Sequence, residues 1–272
     1  MVAARVDGEV WRGALVAARV NGEVWRGRAS CPLQFNNARI GPTMDEIRIN
    51  LERVRERIAR AAERAGRRPD DVLLVGVSKT VDVGRIRQAV AAGLPALGEN
   101  RVQEAQAKIA ALGRPVPWHL IGHLQTNKVR AALELFDVIQ SLDRLELAHE
   151  CDRRARARGR PVAVLIQVNV AGEASKGGFA PHDVGAAIDA IGALEHLELR
   201  GLMAIPPPVE RAEEARGWFR TLAQLGKRHG LGELSMGMSA DFEVAVEEGA
   251  TMVRVGTAIF GARPPREERS TP

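Results

Sequence analysis

The sequence predicts an α/β chain folded as a single (β/α)8 barrel, and three observations carry that prediction. Eight short apolar runs, rich in β-branched residues, alternate with helical patterns between Val72 and Val255. Strands buried on both faces and separated by crossover helices read in this way. The connections are short, as βα and αβ turns are in compact domains. No glycine-rich nucleotide fingerprint follows any of the runs, which disfavours the alternative of an open doubly wound sheet.

The elements follow in order from Met44. A first helix places Ile47, Leu51, Val54 and Ile58 on one stripe among Arg and Glu, with Gly66 as its C-terminal cap. The first strand is Val72–Val77, followed by Ser78-Lys79-Thr80 and a helix from Val83 to about Ala92. Pro95–Gly98 is a second strand and its helix runs to about Leu112; Trp118–Ile121 is a third, and Asp137–Gln140 a fourth, with Asp143 suited to cap the next helix. Val162–Val170 is the fifth, before a glycine-rich loop over Gly172–Gly178 and a helix from Pro181. Leu199–Ala204, Glu233–Met236 and Met252–Val255 are strands six to eight. The rigid run Pro206–Pro208 ends the sixth, and a long helix runs through Leu225. The fold class is therefore a TIM-type barrel with an extra N-terminal helix, which can cover the gap left where no full helix follows strand eight.

Composition sets the outer bounds. The chain has 272 residues, 45% apolar and 27% charged, enough for one large α/β domain. No apolar run reaches the length of a membrane span, and no signal peptide is evident, so a cytoplasmic protein is expected. Cys31 and Cys151 form neither a metal spacing nor a disulfide framework, and Cys151 reads as a buried filler. Residues 1–43 carry six arginines and three acids, which accounts for most of the net charge of +5. The remainder is close to neutral, which argues against a nucleic-acid binder and leaves Arg153–Arg160 as a solvated helix face.

The domain organisation expected is a barrel over residues 44–263 between two dispensable ends. Val2–Gly13 recurs almost unchanged as Val16–Gly27, and two copies are too few for a solenoid. Residues 1–43 are expected to be a disordered or spurious extension, and residues 264–272 a disordered tail.

Barrel closure turns the strand list into a candidate site. Strands one and eight become neighbours, so Lys79 lies beside Arg254, Gly256 and Thr257. Barrels of this class commonly bind phosphate at the loops after strands seven and eight. Here those loops carry Ser235, Ser239, Gly256 and Thr257, small donors able to approach an anion closely. An amine beside a phosphate cradle suggests a phosphorylated carbonyl compound held as a Schiff base. That chemistry needs a neutral amine, which burial and a nearby guanidinium such as Arg254 both favour. His119 and His123 straddle a strand end and are expected to be hydrogen-bonded structural residues rather than metal ligands. Lys128 is assigned to the following helix, and Lys176 in the loop after strand five is a candidate for cofactor release or relay.

Seven motifs then occur in order. They are Val-Ser-Lys-Thr at 77–80, Gly-Glu-Asn-Arg at 98–101, Trp-His-Leu-Ile-Gly-His-Leu-Gln-Thr-Asn-Lys at 118–128 and Gln-Val-Asn at 167–169. Gly-Leu-Met at 201–203, Leu-Ser-Met-Gly-Met-Ser at 234–239 and Arg-Val-Gly-Thr-Ala-Ile-Phe-Gly at 254–261 complete the series. Together they resemble the pyridoxal phosphate homeostasis protein family, single-domain relatives of the N-terminal barrel of alanine racemase, across about Met44 to Arg263. The resemblance implies a fold-type III pyridoxal 5'-phosphate site with the cofactor on Lys79. It also implies phosphate contacts from Ser235, Ser239, Gly256 and Thr257, and Arg254 opposite the ring nitrogen. Asn100 and Met236 would line the cofactor. It further implies a monomer that buffers the cofactor or delivers it to apo-enzymes. The alternative within the same cofactor class is an amino-acid racemase. Racemases of this fold use a tyrosine as second base, and this sequence contains none. A cofactor-free Schiff-base lyase for sugar phosphates is the third reading.

Overall fold

The computed structural model describes residues 44–173 and 176–261. The tandem repeat of residues 1–43 and the tail expected at 264–272 lie outside the described residues. Each of the eight predicted strands forms: β1 (Leu73–Val77), β2 (Ala96–Glu99), β3 (Trp118–Leu120), β4 (Val138–Leu142), β5 (Val162–Val168), β6 (Leu197–Ala204), β7 (Glu233–Met238) and β8 (Met252–Val255). They pair in parallel, in sequence order, into a closed barrel. Closure is made by β1 against β8, with Val75 opposite Arg254 and Gly76 opposite Val255.

Alternation along each strand sorts its side chains into two cores. Outward residues such as Leu74, Leu97, Leu120, Val164, Leu202 and Val253 pack against the helices. The barrel interior holds a smaller apolar layer of Val138, Ala163, Leu165, Met203 and Met252, with Leu73 and Ile205 against it. The interior also holds a polar layer: His119, Gln140, Ser235 and Arg254 are all buried. A barrel whose centre is a hydrogen-bonded polar layer has to hold it in one arrangement, because each unpaired member would cost free energy.

Helices follow the strands: α2 (Val83–Ala91), α3 (Val102–Leu112), α4 (Val129–Leu135), α5 (Leu145–Arg158), α6 (Val184–Gly192), α7 (Arg216–Arg228) and α8 (Phe242–Glu247), with only the short α9 (Thr257–Phe260) after β8. The first helix, α1 (Met44–Arg64), packs on α8, α9 and α2. It thereby closes the side of the barrel that α9 is too short to cover, as its apolar stripe predicts. Asn50 donates to the Ile259 carbonyl, Arg57 pairs with Glu243, and the Arg57 guanidinium stacks over Phe242 at 4.4 Å.

Two local expectations are corrected. Asp143 does not cap α5; its carboxylate instead holds His123 Nδ1 at 2.8 Å and Arg144 Nη1 at 2.6 Å. Strand β5 stops at Val168 and not at Val170, because the loop takes over its last bonding partners. The Asn169 N–H donates to the Phe179 carbonyl, and Asn169 Nδ2 donates to the Glu173 carbonyl.

Candidate functional site

Lys79 stands in the turn between β1 and α2, half-buried, and the two residues flanking it are held by one polar cluster. Ser78 is fully buried and its hydroxyl donates to Glu99 Oε1 at 2.7 Å. Lys108, reaching in from α3, donates to the Ser78 carbonyl at 2.6 Å, to Glu99 Oε1 at 2.6 Å and to Glu104 Oε1 at 2.7 Å. Glu104 Oε1 also accepts the Thr80 N–H at 2.5 Å. Thr80 has φ +63°, the left-handed region that a β-branched residue rarely enters. Burial pushes the Glu99 carboxyl up against the opposing pull of Lys108.

The loops after β7 and β8 converge on the same end of the barrel. Ser239 Oγ accepts the Gly256 N–H at 3.2 Å and the Ala258 N–H at 3.5 Å, tying one loop to the other. Gly256 lies so close to β1 that an added Cβ would stand 3.3 Å from the Val77 carbonyl oxygen. The glycine thus lets the β8 loop lie beside the turn that carries Lys79. Thr257 is exposed at the same end, and Ser239 and Gly256 are half-buried.

Beneath them, a chain of hydrogen bonds crosses the barrel. Arg254 Nη1 donates to Ser235 Oγ at 2.6 Å and Nη2 donates to the Ala204 carbonyl at 2.7 Å. The Ser235 hydroxyl donates in turn to Gln140 Oε1 at 2.6 Å. That fixes the Gln140 amide, whose Nε2 donates to His119 Nδ1 at 2.7 Å. His119 must then be a neutral imidazole with its proton on Nε2. Burial agrees, lowering its pKa from 6.5 to about 4, partly opposed by Asp137. Burial also lowers Arg254 to about 10, which leaves it a fixed cation at neutral pH.

His119 yields a pH prediction. Unfolding exposes a histidine that binds a proton the folded state refuses, so stability should fall as pH drops from 6.5 towards 4. The full loss is about 3 kcal/mol from this group. His119→Gln should flatten that part of a denaturation-versus-pH curve; an unchanged slope would contradict the assignment.

The mouth of the barrel has room for a ligand. Asn100, just after β2, is half-buried, and its Oδ1 is buried without a partner among the described residues. It lines two adjoining cavities, of about 610 and 460 Å³. The first also meets Arg101 and Lys128; the second meets His123, Asp143 and Lys176. Lys128 belongs to a short 3-10 turn preceding α4, and Lys176 Nζ lies 3.4 Å from Glu173 Oε2. An orphaned acceptor, backbone donors with hydroxyls at two loops, and a lysine between them fit a ligand carrying donors, a phosphate and a carbonyl.

The family model described as alanine racemase, N-terminal domain, matches residues 49–264. A pyridoxal phosphate homeostasis protein of Pseudomonas aeruginosa is 47% identical over 223 residues, covering 81% of this chain and 97% of that one. This chain belongs to the pyridoxal phosphate homeostasis protein family. Its Escherichia coli (strain K12) relative is 43% identical over 229 residues, covering 81% and 98% of the two chains. The solved structure of PipY from Synechococcus elongatus with PLP bound is 39% identical with a TM-score of 0.69, covering 79% of this chain and 100% of that one. An alanine racemase of Clostridium difficile, 17% identical with a TM-score of 0.63 over 82% and 58% of the chains, shares the fold.

In this member of the pyridoxal phosphate homeostasis family, the expected site residues lie at different depths. Lys79, Asn100, Ser239, Gly256 and Thr257 gather at one end of the barrel. Ser235 lies deeper, its hydroxyl fully buried between Arg254 and Gln140, where it braces the guanidinium. The Met236 side chain packs in the shell between barrel and helices, as alternation along β7 requires. Lys108 and Glu99 were not anticipated. The signal was present, since Lys108 falls on the same stripe of α3 as the buried Val102 and Ala105, where a charge requires a partner. Cys151 is buried as expected, and burial pushes its thiol up to about 12.

Proposed function

We propose that this chain binds pyridoxal 5'-phosphate through Lys79 and buffers or delivers it inside the cell. The observation that carries the reading is the approach of the Gly256 loop to the β1 end, which brings a lysine and a ring of small donors together. Ser239, Gly256 and Thr257 would hold the phosphate, Asn100 would donate to or accept from the ring substituents, and Arg254 would stand opposite the ring nitrogen. When bound, pyridoxal 5'-phosphate supplies an aldehyde for condensation and a ring able to withdraw electrons. Lys79 Nζ would supply the amine for that condensation.

Arg254 favours holding over turnover. A cation fixed by Ser235 and the Ala204 carbonyl disfavours protonation of a ring nitrogen placed against it. The ring is then a weaker electron sink, suited to storage more than to carbanion chemistry. The absence of tyrosine from the sequence removes the second base that racemases of this fold use. We read the protein as a carrier, with apo forms of pyridoxal-phosphate enzymes as recipients. We further place it in the cytoplasm as a monomer; among the described residues no helix is long and apolar enough to cross a membrane.

The test pairs two assays on cofactor-loaded protein. Transfer to an apo-enzyme, followed by the recipient's activity, is expected to proceed while D- and L-amino acids are left unchanged. Racemisation of any amino acid at enzymatic rates would overturn the carrier reading. Lys176, on the loop that lines the mouth cavity, carries a narrower prediction. Lys176→Ala should alter the cofactor off-rate and the transfer rate severalfold, with the Lys79 adduct still formed. Unchanged rates would remove Lys176 from the release path.

A further inference from the structure

We propose that Lys108 is the positioning residue for Lys79: it clamps the turn on both sides of that lysine and so aims its amine. The inference rests on the reading of Lys79 as the cofactor-bearing residue.

Lys108 itself has no capacity left for a ligand. An ammonium has three N–H donors, and its three acceptors are the Ser78 carbonyl, Glu99 Oε1 and Glu104 Oε1. Its side chain is 8% exposed, beside a Glu99 that is fully buried. A lysine so enclosed acts through what it holds, and what it holds is the backbone of the Lys79 turn. On one side Ser78 is fixed twice, through its carbonyl to Lys108 and through its hydroxyl to Glu99. On the other, Lys108 orients the Glu104 carboxylate that accepts the Thr80 N–H.

The conformation thus maintained is one the chain would not keep unaided. Thr80 is the one non-glycine residue with positive φ among the described residues. A β-branched side chain there is strained, and such strain persists only where surrounding contacts over-determine it. Without the clamp Thr80 relaxes to negative φ, and the turn that carries Lys79 changes course with it. Strain next to the reacting residue, held by a buried ion cluster that does not itself face the ligand, is the arrangement expected of preorganisation.

The competing account is that the cluster merely pins α3 to β2. Two ligands separate the accounts: pyridoxal 5'-phosphate, and pyridoxine 5'-phosphate, which has the same ring and phosphate but an alcohol that cannot condense with an amine. Lys108→Met should weaken pyridoxal 5'-phosphate binding about tenfold, the size expected from release of one strained residue, and leave pyridoxine 5'-phosphate affinity within about twofold. Adding Thr80→Gly, which enters the left-handed region freely, should recover most of that loss. Glu104→Ala removes the Thr80 acceptor and leaves Glu99 in place; it should reproduce the selective loss, and decides the matter if Lys108→Met does not fold. Equal weakening of both ligands, no weakening, or no recovery with Thr80→Gly would overturn the proposal. Failure of the wild-type protein to form any Lys79 adduct would instead overturn the cofactor reading beneath it.

Discussion

Replacing Lys79 with alanine is expected to abolish the near-visible band of the loaded protein and to leave only weak, non-covalent binding. The phosphate cradle proposed for Ser239, Gly256 and Thr257 does not include Lys79, so some affinity should persist. The loss should be roughly a hundredfold, about 2.7 kcal/mol. Lys79→Arg should behave like the alanine variant, because a guanidinium stays protonated and does not condense with an aldehyde. Absorbance titration with pyridoxal 5'-phosphate checks both. A Lys79→Ala protein that kept the band would mean that another lysine carries the cofactor.

The largest stability effect is expected at Gly201, where β6 passes β7. Gly201 pairs with Glu233, and a Cβ at Gly201 would stand 1.8 Å from the Glu233 carbonyl oxygen and 2.6 Å from its carbonyl carbon. These are backbone atoms of a neighbouring strand, so relief requires the two strands to part. Gly201→Ala should cost about 4 kcal/mol or more and lower the melting temperature by roughly 10 °C. Gly217, exposed near the start of α7 with open space around it, is the control. Gly217→Ala should leave stability unchanged or raise it by up to about 1 kcal/mol. Equal effects of the two substitutions would contradict the register assigned to β6 and β7.

The barrel was legible in the sequence because its strands are buried on both sides. Runs such as Leu73–Val77 and Val162–Val168 need no partner information to be recognised. Closure then followed from the strand count, and with it the adjacency of Lys79 to Arg254 and Gly256. What stayed hidden depends on the parity of side chains and on long-range pairing. A strand residue alternates between the interior and the helix shell. Met236 enters the site through the resemblance alone, and the packing of its side chain in the helix shell is set by that parity. Ser235 is grouped in the sequence with the loops after strands seven and eight, and its depth beside Gln140 depends on strand stagger, which no local pattern encodes. Asp143 has the right chemistry for a helix cap, but His123 and Arg144 compete for it. Lys108 was missed for a similar reason: its partners Glu99 and Ser78 come from two other segments, brought together only by the β1–β2 pairing.

The most direct test of the account is borohydride reduction of the protein incubated with pyridoxal 5'-phosphate, followed by peptide mass mapping. The account predicts a single stoichiometric pyridoxyl adduct on Lys79. An adduct confined to Lys108, Lys128 or Lys176, or a protein left unmodified, would contradict it.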